Sequence, residues 1–262
     1  MIVLGHRAPR RTVLAGGLIV PMVVLTGCAA DQIVATGAVA VATSPPHAVP
    51  ASATTHRPWA PRKMPQLERG AKGPAVVRLQ SELRTLGYWL GAVDGRFGDA
   101  TQQAVFALQK VAGISHDGVV GRKTWRALRQ GVRPSPRSRY GTRVEVDLEH
   151  DVLMFVSGGE LRYALNTSTG GGYTYYEYGA AHVAVTPTGR FRVYNQINGL
   201  RVSPLGEMWR PKYFHDGYAI HGDAAVPPYP VSHGCVRVSN EAIDWIWAKR
   251  LLPIGSKVWI YR

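Results

Sequence analysis

The chain has 262 residues, 45% of them hydrophobic and 9% aromatic. That is enough apolar material for one or two packed domains and excludes a wholly disordered chain. A formal net charge of +14 calls for an anionic partner, but no aromatic nucleotide-binding stretch accompanies the charge, so the partner is read as a lipid surface or an acidic polymer and no nucleic acid is implied.

Arg7, Arg10 and Arg11 precede an apolar run from Thr12 to Thr26. The run is short for a membrane span and fits the hydrophobic region of an export signal. It ends in Leu25-Thr26-Gly27-Cys28, which resembles a bacterial lipobox, where the cysteine is lipidated and becomes the new N-terminus. Arg10-Arg11-Thr12-Val13-Leu14 also resembles a twin-arginine signal, with Pro9 in place of the usual small polar residue, so the export route stays open. Residues 1–27 are thus expected to be a signal peptide and Cys28 the lipidation site, anchoring the chain to the outer face of the cytoplasmic membrane, within the cell envelope. Residues 28–65 have no helical or strand period and carry Pro45, Pro46, Pro50, Pro58, Pro61 and Pro65, which predicts a disordered tether. The chain has two cysteines. With Cys28 lipidated, Cys235 has no disulfide partner, and an unpaired thiol in an oxidising compartment is a liability unless it is used.

Residues 66–131 change character. Val76, Leu79, Leu83 and Leu86 recur at helical spacing after Pro74, a good first-turn residue. Ala104, Val105 and Leu108 mark a second helix, and Trp125 and Leu128 a third. Asp94-Gly95-Arg96-Phe97-Gly98-Asp99-Ala100-Thr101 is echoed by Asp117-Gly118-Val119-Val120-Gly121-Arg122-Lys123-Thr124, a turn followed by a helix in both copies. With Leu79-Gln80, Gly87-Tyr88 and Gln109, these turns resemble the small three-helix peptidoglycan-binding domain of bacterial wall hydrolases. The resemblance implies peptidoglycan as a partner but assigns no individual contacts. Residues 132–139, with Pro134, Pro136 and several arginines, read as a basic linker.

From residue 140 the period becomes strand-like, at Val144–Leu148, Val152–Val156, Arg190–Tyr194 and Lys257–Tyr261. One helix is predicted between Glu241 and Leu251, capped by Ser239 or Asn240. The fold class is therefore α+β: a small three-helix domain followed by a β-rich domain over residues 140–262.

The chemistry concentrates in Tyr218-Ala219-Ile220-His221-Gly222-Asp223 and Ser232-His233-Gly234-Cys235-Val236-Arg237. A thiolate is a nucleophile only if a base or a positive neighbour helps it ionise, and His221 and His233 are the candidates beside Cys235. His233 is close in sequence but need not face the sulfur; His221 can be brought opposite on a neighbouring strand or loop. The Gly222 carbonyl offers a way to fix the His221 tautomer. Gly234 and Cys235 amides offer an oxyanion hole, and Arg237 a bidentate partner for a carboxylate. Asp223 is expected to face solvent.

This order resembles the signature of L,D-transpeptidases of the YkuD type. Asn166-Thr167-Ser168-Thr169-Gly170, Thr186-Pro187-Thr188-Gly189 and the Trp209–Phe214 stretch are similar to further family features. The resemblance implies Cys235 as the acylated nucleophile, His221 as its base, His233 and Gly234 at the catalytic centre, and Ser232, Arg237, Gly222 and Tyr218 about the substrate. It implies a donor tetrapeptide, release of D-alanine, transfer to an acceptor amine in a 3→3 link, and acylation by carbapenems. Hydrolysis by the same chemistry (an L,D-carboxypeptidase) and attachment of a protein to peptidoglycan remain open alternatives. So does a non-catalytic wall-binding lipoprotein, against which the His221–Cys235 pair argues. No His-Glu-x-x-His or similar spacing appears, so no metal is expected and no cofactor is implied. A papain-like amidase would place cysteine before histidine, the reverse of the order here.

Replacing Cys28 with Ala is expected to move the protein from membrane to soluble exported fractions; unchanged partitioning in cell fractionation would reject the anchor.

Overall fold

The computed structural model describes residues 64–262; the signal and lipobox expectations, and the tether up to residue 63, fall outside the described residues. Three helices come first: α1 (Pro74–Thr85), α2 (Asp99–Val111) and α3 (Arg122–Arg129). Pro74 opens α1, where its missing N–H costs nothing.

The repeated turns are built alike around a buried amide. Gln80 Nε2 donates to Asp94 Oδ1 at 2.8 Å, Arg96 O at 3.0 Å and Thr101 Oγ1 at 3.0 Å, and Gln80 Oε1 accepts from Gly95 N at 2.9 Å. Gln109 repeats the arrangement with Asp117, Val119, Thr124 and Gly118. A buried amide must find partners for both ends, and these two do. The motif residues are internal struts that hold each turn to a helix.

The second part contains β1 (Thr142–Asp147), β2 (Val152–Ser157), β3 (Glu160–Asn166), β4 (Thr174–Glu177), β5 (Ala180–Val183), β6 (Gly189–Arg192), β7 (Asn195–Gln196), β8 (Leu200–Ser203), β9 (Gly206–His215), β10 (Tyr218–Asp223), β11 (Val236–Ser239), α4 (Asn240–Ala248) and β12 (Lys257–Tyr261). One sheet runs β3-β2-β1-β12-β6; the other runs β11-β10-β9-β7, with β8 also on β9; β4 and β5 form a separate hairpin. The β1–β12 and β10–β11 pairs are parallel and the rest antiparallel. Ser239 caps α4, its Oγ accepting from Ala242 N at 3.2 Å. Val144, Val146, Val258 and Ile260 from the first sheet, Ile220, Val236 and Val238 from the second, and Ile243 and Ile246 from α4 share one core.

The helical part does not stand apart from this. Gly87–Trp89 pairs with the edge of β3: Trp89 N donates to Ala164 O at 2.9 Å, and Ala164 N donates to Gly87 O at 2.8 Å. An edge strand is thereby covered. Trp89 packs on Trp245 of α4, ring centroids 5.3 Å apart. Val152 and Ala164 of the β-rich part belong to the helical core. Lys110 of α2 reaches Asp151 with 2% and 7% of the two side chains exposed. Residues 132–139, expected as a linker, are held too. Glu145, fully buried, accepts from the amides of Arg137 and Ser138 at 2.8 and 2.9 Å and from the Tyr261 hydroxyl at 2.9 Å. The Arg137 guanidinium lies 3.9 Å from the centre of the Tyr261 ring.

A chain beginning near Ser138 would bare Val152 and Ala164 and leave Asp151 without its cation. Exposing a buried apolar side chain such as Val152 costs about 1.5–3 kcal/mol. The truncated chain is therefore expected to lose at least that much unfolding free energy or not to fold. Urea unfolding checks this; equal stability would mean that the helical part is a detachable module.

Candidate active site

Strands β10 and β11 run parallel with Ile220 opposite Val236 and His221 opposite Arg237. Side chains alternate along a strand, so Ile220, Val236 and Val238 enter the core while His221 and Arg237 take the other face. Cys235, one step before β11, falls on that face as well, a diagonal step from His221. Both line a cavity of about 410 Å³ with Ser232, His233, Tyr218 and Arg237.

The His221 ring is fixed. It is buried, 3% exposed, and its Nδ1 lies 2.9 Å from Gly222 O. A carbonyl only accepts, so the proton sits on Nδ1 and Nε2 keeps its lone pair. Burial pushes the His221 pKa down, outweighing the Gly222 hydrogen bond and Asp223, which pull it up. Burial also raises the Cys235 thiol, against the Ala219 amide and the charge of Arg237, which lower it. The resting pair is therefore a neutral imidazole and a neutral thiol.

Comparison with known proteins gives the family. Residues 72–128 match the peptidoglycan binding domain family, and residues 141–260 match the L,D-transpeptidase catalytic domain family called YkuD. The crystal structure of an L,D-transpeptidase from Xylanimonas cellulosilytica is 49% identical, covers 78% of this chain and 100% of its own, and superposes with a TM-score of 0.72. The chain belongs to the L,D-transpeptidase family. Its helical part is also similar to that of other wall proteins: 42% identical over 62 residues to a spore cortex-lytic enzyme of Bacillus cereus, and 41% over 56 residues to an N-acetylmuramoyl-L-alanine amidase of Mycobacterium tuberculosis. The first match covers 24% of this chain and 24% of the relative; the second covers 21% and 14%. The chain thus spans about a quarter or less of the length of those curated relatives.

In this member of the family the Cys235 loop is braced on every side. Ser232 Oγ donates to Cys235 O at 2.6 Å and accepts from Gly234 N at 2.9 Å. Ser168 and Arg237 exchange backbone hydrogen bonds at 3.2 and 3.0 Å, and Ser232 N donates to Thr169 O at 2.8 Å. Thr186 Oγ1 donates to Gly234 O at 2.8 Å and accepts from Gly170 N at 2.9 Å. The two motifs around Thr169 and Thr186 are thus supports for the loop.

Two expectations are corrected, at Gly234 and at Asp223. The Gly234 amide is committed to Ser232 and is not a free oxyanion donor. Gly234 is needed because its φ is +136° and a Cβ would lie 2.4 Å from the Tyr218 ring. Gly222 is buried, with room for no Cβ between Ile243 and Asn240, so its lack of a side chain serves close packing on α4. Asp223 does not simply face solvent; its Oδ2 lies 3.2 Å from Arg237 Nε, each side chain 21% exposed.

His233 sits at the cavity rim with its ring 4.7 Å from that of Tyr175 and 5.6 Å from that of Tyr173. Burial, then Arg237, lowers its pKa. Sequence reasoning did not single out Glu177 and His182 on the β4–β5 hairpin, or Arg201, Glu207 and Tyr213 from β8 and β9, all of which line the cavity. These hairpins lie far along the chain from Cys235. The one available signal was alternation: Tyr173, Tyr175 and Glu177 share a strand face, whereas Tyr176 and Tyr178 are 76% and 89% exposed. Among the described residues, the group of ligand atoms close enough to share a cation is Asp147, Glu149 and His150, not the residues around Cys235.

Thr186→Val removes both hydrogen bonds of the hydroxyl and strands a buried carbonyl. The expected loss is about 1–3 kcal/mol, read by thermal or urea unfolding; an unchanged midpoint would show that the brace is dispensable.

Proposed function

We propose that the chain is an exported L,D-transpeptidase that forms 3→3 links in peptidoglycan through acylation of Cys235. The observation that carries the reading is the pairing of β10 with β11, with His221 held by Gly222 so that its free Nε2 lone pair belongs to the same cavity as the sulfur. Cys235 Sγ attacks the carbonyl carbon of the L,D bond between the third and fourth residues of a donor stem. Its proton passes to His221 Nε2. The carbon–nitrogen bond then breaks, and the proton goes to the departing D-alanine amine. An acceptor amine attacks the thioester, returns its proton through His221, and frees the thiol. His221 works as a general base on a neutral thiol, because burial disfavours both ions of a preformed thiolate–imidazolium pair. Arg237, oriented by Asp223, meets a carboxylate of the substrate. The family match of residues 72–128 supports peptidoglycan as the partner of the helical part, and the lipobox at Cys28 supports attachment to the outer face of the cytoplasmic membrane.

Mixing the protein with a carbapenem is expected to give one stoichiometric adduct on Cys235 by intact-protein mass spectrometry and peptide mapping. The adduct should be absent in Cys235→Ala and form at least about 100-fold more slowly in His221→Ala. An adduct on Ser232 would reject the thiol mechanism, and a normal rate in His221→Ala would move the base role to His233.

The pH dependence follows from the direction of the shifts. With the His221 pKa lowered, its base form persists below the ordinary histidine value of about 6.5, and the acylation rate should fall only below that pH. With the Cys235 pKa raised, no step should appear at the free-thiol value of about 8.5. A rate that climbs through pH 8–9 would instead indicate simple ionisation of the thiol.

A further inference from the structure

We infer that helix α2 of the helical part positions the acyl-transfer site, with Lys110 and Gln103 as positioning residues; the inference rests on the Cys235 reading above. Two separate grips support it. Lys110 Nζ donates to Thr167 O at 2.8 Å and Asp151 O at 2.9 Å, with Asp151 Oδ2 at 3.4 Å. Asp151 Oδ1 in turn accepts from Thr167 Oγ1 at 3.1 Å and Thr169 Oγ1 at 2.7 Å. Thr169 O receives Ser232 N at 2.8 Å, and Ser232 Oγ donates to Cys235 O at 2.6 Å. A continuous chain of satisfied polar groups thus runs from α2 to the residue that carries the sulfur.

Gln103, on the same helix, makes the second grip. Its Nε2 donates to Val226 O at 3.0 Å, and its Oε1 accepts from Asn166 Nδ2 at 2.6 Å. Val226 lies in the loop that leads from His221 on β10 to Ser232 and Cys235. One helix therefore holds the support strand beneath the cysteine loop and the connection between the two candidate catalytic residues.

The composition of the site argues for placement as well as cohesion. Burial lowers the Lys110 pKa to about 8, opposed by Asp151. An apolar side chain would join two domains without that desolvation cost. Three oxygen partners around one ammonium fix the direction of Thr167 and Asp151 in a way that an apolar contact does not. Asp151 itself is buried at a φ of +51°, a conformation held by what surrounds it.

The test uses the full chain and the first-order rate of Cys235 acylation at saturating carbapenem, at a temperature where circular dichroism shows each variant folded. Lys110→Met keeps the aliphatic stem and removes the charge; Gln103→Ala removes the milder grip and keeps the experiment informative if Lys110→Met does not fold. Leu161→Ala, which thins the packing between the two parts without touching either grip, is the stability control. The expected result is a saturated rate at least about tenfold lower in Lys110→Met or Gln103→Ala, with the half-saturating drug concentration within about twofold of the parent, because misplacement of a reacting group slows the chemical step. Leu161→Ala should lower the melting temperature and keep the parent rate. Parent-like rates in folded Lys110→Met and Gln103→Ala would overturn the inference alone, as would equal slowing by Leu161→Ala. No acylation of the unsubstituted chain would overturn the Cys235 reading and the inference with it.

Discussion

The backbone pairing of Ser168 with Arg237 and of Gly170 with Ser232 holds the loop that carries Cys235. The loop is short, turns at Gly234 and buries several polar groups, each of which costs free energy unless paired. Nearly all the polar residues around it are spent on that requirement. Ser168 Oγ donates to Tyr229 O and accepts from Val231 N, Thr186 joins Gly170 to Gly234, and Ser232 closes the turn on itself. The β10–β11 register sets Cys235 one diagonal step from His221.

The electrostatics of the site follow from the same burial. Low polarity around His221 and Cys235 penalises both charges, and the Ala219 amide, Arg237 and Asp223 offset only part of that penalty. His221 is buried and Cys235 half-buried, and a thiol kept neutral is less open to oxidation than a standing thiolate. The charge of Arg237, on the cavity lining, is held by Asp223 at 3.2 Å.

The helical part contributes more than affinity. Its Gln80 and Gln109 struts make the two turns rigid, and its Gly87–Trp89 segment covers the open edge of β3. Lys110 is the charged one among the buried residues of α2, where Ala104, Val105, Ala107 and Leu108 are small or apolar. A charge at such a position is tolerated only because Asp151 and Thr167 meet it from the other part of the chain. The two parts of the described chain accordingly share polar and apolar contacts.

The sequence by itself determined the local elements and pointed to the candidate reacting groups. The strand period at Val144–Leu148 and Lys257–Tyr261, the helix start at Pro74, and the cap at Ser239 are local signals that depend on a few neighbouring residues, and the structure contains each of them. The pairing of a histidine-glycine step with Ser-His-Gly-Cys was equally legible, because chemistry limits which side chains can activate a thiol. Only the tertiary structure decided what the glycines and carboxylates do. Gly234 and Gly222 answer to Tyr218 and Ile243, and Asp223 answers to Arg237. Arg201, Glu207 and Glu177 reach the cavity on hairpins that no spacing ties to Cys235. Lys110 meets Asp151, 41 positions along the chain, only in the folded structure. Such roles depend on desolvation and on partners brought from afar, and neither exists until the chain has folded.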